Sequence, residues 1–365
     1  MQINYITYDS WWDTDVTIIP ELAKRFNINV FCLSPVYGAK YPHKNLSSGI
    51  TFTQVYQKYR DRDPRSLIVA FKYLWKCYLE NKDKHNWYFI IPGKNPYFLL
   101  LMLYFLPKER TIISSHNYIE HGDNRSIGAS LGVWLKKRLY RRFEFFHFFS
   151  KQQNDLFVND YPAKSSFYTN MPPKDFGEVT PNERDDSKVV LLFFGLIRDY
   201  KRLDLLIEAV NRLDNPNLKV IIAGNASKQD IEKYTELIRE KDKFDLHFGF
   251  VKNEDIPSYF VNSDFLVLPY ESATQSGPSL VAINYGIPII GSKIPAFEEH
   301  IKDGVNGFLF DNGSLESLKD ILAKVSQMKK NEISAIKARQ MEYKKEYIKN
   351  YDVGLKFEEF IKAIS

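Results

Sequence analysis

The chain has 365 residues, of which 44% are hydrophobic and 26% charged, with a formal net charge of +5. That length exceeds one ordinary core and suits two domains of about 150 to 200 residues each, and the balance of apolar to charged residues excludes a largely disordered chain. Cys32 and Cys77 lie far apart without CxxC spacing, which excludes a disulfide framework and a cysteine zinc site and fits a reducing compartment.

The opening "INYITY" (3–8) is β-branched and aromatic, and "TDVTIIPELAKRF" (14–26) has helical apolar spacing, so a strand leads into a helix. No basic segment followed by an apolar run precedes them, and a cytoplasmic protein is expected. "INVFCLS" (28–34), "WYFIIP" (87–92) and "ERTIISSH" (109–116) repeat the strand signal, with helical patterns at 65–80 and 96–105 between them. The run "PYFLLLMLYFLP" (96–107) is closed by prolines and falls short of the roughly 20 residues of a spanning helix, so it reads as a buried helix. "FHFFSKQQNDLF" (146–157) adds a strand running into a helix. Alternating strands and helices imply a parallel sheet covered on both faces.

A segment rich in Pro and charge, 166–188, is followed by a second series: "VVLLFFG" (189–195), "KVIIAG" (219–224), "LHFGFV" (246–251), "DFLVLPY" (264–270) and "IPIIGS" (287–292). The doubly wound pattern restarts, placing an N-terminal domain at 1–172 and a second at 173–349. The amphipathic "NYDVGLKFEEFIKAIS" (350–365) is expected to pack back on the first. The expected fold class is α/β, two doubly wound Rossmann-like domains facing across a cleft at the carboxyl ends of their strands.

Chemistry is sought at those ends. "YESATQSGPSLVAINYGIPII" (270–290) follows a strand directly, with Pro278 suited to the first turn of a helix that runs to Gly286 and Ser276 or Gly277 as its N-cap. Free backbone N–H groups, the helix dipole and the hydroxyl and amide groups of Thr274, Gln275 and Ser276 favour a bound anion there; a polar loop with an ordinary cap is the alternative. In "FFGLIRDYKRLDLLIEAV" (193–210) the strand ends at Gly195, and Arg198 and Lys201 precede or begin the next helix. Cations there oppose the dipole by about 0.3–1 kcal/mol each, and an anionic ligand between the two helix mouths supplies a reason for them.

These stretches, with "VIIAG", "GFVKNEDIPSYFVNSDFLVLPYESATQSG" and "YGIPIIGSKIPAFEEHIKDGVNGFLF", resemble the C-terminal domain of family 4 glycosyltransferases of the GT-B fold, and the "SATQSG" loop looks like a variant of the same family. The N-terminal half carries the resemblance mainly through "TIISSHN". The resemblance implies retaining transfer of a sugar from a nucleoside-diphosphate sugar, with a UDP-sugar favoured, without a metal or other cofactor. It implies that Arg198 and Lys201 hold the diphosphate and that Ser276 and Gly277 give backbone donors to phosphate. Gly195, Gly224, Asn225, Phe250 and Val251 border the donor, and His116 approaches the donor sugar. Many members carry two glutamates separated by seven intervening residues in the loop. Glu271 fits the first as a sugar ligand, but the second falls on Ser279; anchoring on "GIP" moves the pair to Ala273 and Val281, and either way the second carboxylate is missing.

Two further motifs carry alternatives. "WDTD" (12–15) could bind a metal through Asp13 and Asp15, but both begin a helix, where Asp suits a cap and the dipole; the pair is read as a cap and a wall of the acceptor side. In 131–143, Leu131, Leu135, Leu139 and Phe143 share a face, with Lys136, Lys137, Arg141 and Arg142 largely elsewhere. That pattern fits an interfacial helix on anionic lipid, and equally a packed helix with a basic back. No nucleic-acid module is visible. The expectation is a cytoplasmic glycosyltransferase, peripheral on the membrane if that helix docks, acting on a glycan or lipid-linked acceptor in surface-glycan assembly. A nucleotide-sugar epimerase and a non-catalytic nucleotide-sugar-binding protein are the alternatives.

Overall fold

The structure, a computed structural model, describes residues 1–35, 49–59, 63–81, 86–93, 95–115, 118, 127–182, 187–215, 217–349 and 351–364. It divides into two compact units, Met1–Pro172 with Tyr351–Ser365, and Pro173–Asn350.

In chain order the first unit contains β1 (Gln2–Tyr8), α1 (Trp12–Ala23), β2 (Asn27–Pro35), β3 (Ile50–Gln57), α2 (Ser66–Asn81), β4 (Trp87–Ile90) and α3 (Pro96–Phe105). β5 (Thr111–Ser115), α4 (Ile127–Arg142), β6 (Phe145–Phe148), α5 (Lys151–Asp160) and β7 (Ser165–Tyr168) follow. The strands form one parallel sheet in the order β3-β2-β1-β4-β5-β6-β7. Side chains alternate between its faces. Ile6, Ile90 and Ile113 pack with Tyr73, Phe98 and Leu139 of α2, α3 and α4, whereas Tyr5 and Phe89 stack on the other face. α3 begins where its sequence predicts: Asn95 accepts from the N–H groups of Tyr97 and Phe98, and Pro96 occupies the position where a missing N–H costs least.

The second unit contains β8 (Val189–Phe194), α6 (Leu203–Asn211), β9 (Leu218–Gly224), α7 (Lys228–Leu237), β10 (Phe244–Phe248), α8 (Ile256–Val261) and β11 (Phe265–Leu268). It continues with α9 (Gly277–Tyr285), β12 (Ile289–Ser292), α10 (Pro295–Glu298), β13 (Gly307–Phe310), α11 (Leu315–Ser326) and α12 (Lys330–Lys349). The parallel order is β10-β9-β8-β11-β12-β13. Leu191, Phe193 and Val267 face α6 and α11, while Leu192, Leu266 and Leu268 face α8 and α9, giving a core on each side of the sheet. The chain ends in α13 (Val353–Ile364), which belongs to the first unit and packs on α1, with the Phe357 ring 5.5 Å from that of Phe26 in the turn after α1. Arg25 reaches Asp352 and Glu358 beside that contact.

Both units are thus Rossmann-like, and β3, β7 and β13 are strands that the sequence reading did not single out. The helix expected over 131–143 exists as part of α4, but Leu135, Leu139 and Phe143 are buried in the first unit's core, and the side chain of Leu131 lies outside the described residues. That apolar face is therefore packed against protein, the second of the two alternatives its pattern left open. Among the described residues, no helix is long and apolar enough to cross a membrane.

Candidate functional site

In the second unit the strand order reverses between β8 and β11, and the loops after these two strands are neighbours at the carboxyl edge of the sheet, where such folds hold ligands. Three adjacent strands end there on glycines with positive φ: Gly195 at 106°, Gly224 at 152° and Gly249 at 146°. A Cβ built on Gly224 would lie 1.9 Å from the carbonyl oxygen of Gly195, so only glycine allows the two main chains this close. The loops are tied by backbone bonds: Gly195 N–H to Ala223 O, Ile197 N–H to Asn225 O and Gly249 N–H to Gly224 O, each 2.9 Å.

The segment after Gly195 makes a 3₁₀ turn, Asp199–Lys201, before α6 starts. Arg202 links the two in the left-handed conformation, φ 51°, and is held by Asp204. This geometry sends consecutive cations different ways. Arg198 is exposed and donates to its neighbour's carbonyl, Ile197 O, at 3.1 Å. Lys201 turns inward to 6% exposure, its Nζ 5.1 Å from the centroid of the Tyr270 ring. Among the described residues no acid and no hydrogen-bond acceptor pairs with it. Burial, with repulsion from Arg198 second, pushes the Lys201 ammonium down to about 8.

The loop after β11 closes the other side. Glu271 N–H donates to Tyr200 O at 2.8 Å, and Asn312 Nδ2 donates to Glu271 O at 2.9 Å, so the backbone of Glu271 is held while its side chain is exposed. Thr274 and Ser276 are buried and Gln275 is partly so. Ser276 is the N-cap of α9, its hydroxyl accepting from Ser279 N–H at 3.3 Å, and Pro278 sits in the first turn. A Cβ on Gly195 would lie 3.3 Å from both Lys201 Nζ and Pro278 Cγ, whereas one on Gly277 would meet nothing within 4 Å. Lys201, the turn at Gly195 and the mouth of α9 therefore converge, and the space before Gly277 is open. The positive end of α9 and a buried ammonium at one place both favour negative charge there.

Sequence reasoning missed Tyr270, which lies beneath Lys201. It is 2% exposed, and burial, with Tyr200 adding and Ser276 opposing, holds its proton above the usual phenol range. Its place at the strand end was the available signal. Phe250 stands 81% exposed just past Gly249, and Val251 packs partly into the core. Both border the same sheet edge, as does exposed Asn225.

The remaining expected residues fall elsewhere. His116 lies outside the described residues, as does the side chain of Asp13. Asp15 is fully buried in the first unit and accepts from Tyr5 Oη at 2.7 Å and from Thr7 Oγ1. The start of α1 has no side-chain cap bond. The reading of Asp15 as a cap and cleft wall is therefore corrected: Tyr5 and Thr7 point to the same face of β1, and the carboxylate joins α1 to them. His147 is a satisfied core residue, 2.8 Å from Ser114 Oγ and from Thr169 Oγ1.

Residues 178–346 match the family model described as glycosyl transferases group 1. An uncharacterized 41.2 kDa protein in the cps region of Klebsiella pneumoniae is 26% identical over 141 residues, 39% of this chain and 38% of that protein. The D-inositol 3-phosphate glycosyltransferase of Mycolicibacterium smegmatis is 24% identical over 168 residues, 42% of this chain and 38% of that protein. The aligned region thus spans under two fifths of either relative. Among solved structures, sucrose-phosphate synthase from Thermosynechococcus elongatus superposes with a TM-score of 0.74 at 10% identity, covering 100% of this chain and 99% of that one. Anabaena HepE in complex with UDP-glucose gives 0.69 at 14% identity, with 100% and 99% covered. Over residues 178–346 the chain matches the glycosyl transferases group 1 family, and its two Rossmann-like units have the fold of the GT-B glycosyltransferases.

Proposed function

We propose that the protein transfers a sugar, of the hexose class, from a nucleoside-diphosphate sugar to an acceptor hydroxyl with retention of configuration. The observation that carries this reading is Lys201: a nearly buried ammonium without an acidic partner among the described residues, placed beside the mouth of α9. Desolvating a lone cation is costly unless an anion completes the site. In this reading the diphosphate lies between Lys201, Arg198 and the N–H groups at Gly277, with Thr274, Gln275 and Ser276 lining it. The nucleoside extends along Gly224, Asn225, Phe250 and Val251, and Glu271 meets the sugar. A UDP-sugar is the favoured donor, as the Anabaena HepE complex holds UDP-glucose on the same fold. The relative in a cps region supports an acceptor in bacterial surface-glycan assembly, free or lipid-linked.

The chemistry is electrostatic. The bond from the anomeric carbon to the diphosphate breaks while the acceptor oxygen bonds the face being vacated, and the acceptor proton passes to a diphosphate oxygen. Lys201 and Arg198 hold the charge that develops on the leaving group, the role a divalent ion fills elsewhere. The test is release of nucleoside diphosphate from a panel of donors, alone and with glycan acceptors, in excess EDTA, with NMR assignment of the product's anomeric proton. The expected result is acceptor-dependent release that survives EDTA and yields the donor's anomeric configuration. An inverted product rejects the mechanism. Activity lost in EDTA and restored by manganese rejects metal independence, and interconversion of the donor sugar without an acceptor makes the protein an epimerase.

A further inference from the structure

We propose that the exposed face of α2, with its neighbours on α3 and α4, docks the first unit on an anionic lipid surface. α2 is apolar on two sides. Ala70, Tyr73, Leu74 and Cys77 are buried in the core, yet Ile68, Phe71, Trp75 and Leu79 recur at helical spacing on the side facing solvent. A helix of a soluble chain normally keeps that second side polar. Ile68 is 58% exposed, and the neighbouring helices add Tyr104, 76% exposed, and Trp134, 49% exposed. Phe71 stacks on Trp75, and both meet the edge of Phe105 on α3, so these three rings form one surface.

Charge decides the occupant. The three helices carry seven Lys or Arg and one acid, Glu80, a net +6 that exceeds the +5 of the whole chain. Lys72 and Lys76 stand exposed between the apolar residues of α2, and Lys137, Arg138 and Arg141 are exposed on α4, where Arg138 lies over the Trp134 ring. A second copy docked symmetrically on this face would set +6 against +6. The core of a protein interface is depleted in lysine, whereas apolar and aromatic side chains interleaved with lysine suit the boundary between headgroups and acyl chains. Long lysine stems let the ammonium groups reach the phosphates while the rings sink deeper. The docking face thus lies on α2 and α3, with the basic back of α4 as its flank, and the packed leucines of α4 take no part.

The experiment is sedimentation of the full chain with vesicles of phosphatidylcholine alone or mixed with phosphatidylglycerol, at low and high salt. The wild type should bind only the mixed vesicles and be released by salt. Ile68→Glu with Trp75→Gln should lower the partition by about tenfold or more. Lys72→Gln with Lys76→Gln should lower it by about fivefold per lysine and flatten the salt dependence. Unchanged circular dichroism and unchanged nucleotide binding in the variants show that each remains folded. A wild type that ignores mixed vesicles at low salt overturns the proposal, as does equal binding by the Ile68→Glu, Trp75→Gln variant. So does a wild-type dimer that ignores vesicles and becomes monomeric with those substitutions.

Discussion

At the scale of single residues the account turns on Lys201. The spacing of Arg198 and Lys201 in the sequence marks two cations before a helix, but nothing in it separates the exposed one from the buried one. That difference comes from Tyr270 and Pro278, which a distant loop brings to Gly195. It has a measurable consequence. An unfolded lysine keeps its proton to about pH 10.4, and folded Lys201 gives it up at about 8. Below pH 8 both states are protonated and the burial cost is fully present; between the two values the unfolded state binds more protons, so stability rises with pH. Lys201→Met should therefore stabilise the second unit by as much as roughly 3 kcal/mol at pH 7, an advantage that fades toward pH 10. The same variant should lose donor affinity about a hundredfold, and wild-type affinity should fall as pH climbs above 8. Denaturant unfolding and nucleotide titration across pH check both; a variant less stable than wild type at pH 7 contradicts them. Asp15 teaches the opposite lesson. Its place at a helix start is legible, but its bonds to Tyr5 and Thr7 depend on which face of β1 the helix covers.

At the scale of elements, the strand-to-loop junctions hold the site. Gly195, Gly224 and Gly249 each stand at a strand end in the sequence, where a turn is expected; the close approach of the first two is visible only once β8 and β9 pair. Gly224→Ala should destabilise the chain by about 3 kcal/mol or more, because its methyl group meets Gly195 O and its φ is unfavourable. Thermal unfolding reads this directly, and a melting temperature equal to wild type would show that the junction yields. Ser276→Ala is milder: loss of the cap on α9 costs about 1 kcal/mol, and donor affinity falls with it. Among the helices, periodicity identified the buried stripe of α4 but left its partner open between core and lipid. On α2 both stripes are apolar, so spacing alone cannot say which one faces inward. β3 escaped notice because "ITFTQVYQ" is half polar, as an edge strand with one partner can be. β13 escaped because "GFLF" is too short to stand out.

At the scale of the whole molecule, the restart of strand-helix alternation after the Pro-rich segment made two Rossmann-like units legible, since each parallel strand needs a crossover helix of its own. The strand order, and with it the reversal between β8 and β11, is a tertiary result; it makes neighbours of two loops that the sequence separates by the whole of β9, β10 and their helices. The central claim is that this reversal point in the second unit binds a nucleoside diphosphate through Lys201. It is tested most directly by titration calorimetry of the full chain with UDP and with UMP, on wild type and on Lys201→Ala, at pH 7. The account predicts saturable binding of UDP, at least about tenfold tighter than UMP because the second phosphate reaches the ammonium, and loss of that difference in Lys201→Ala. UDP binding that is unaltered by Lys201→Ala, or a wild type that binds neither UDP nor GDP, would contradict it.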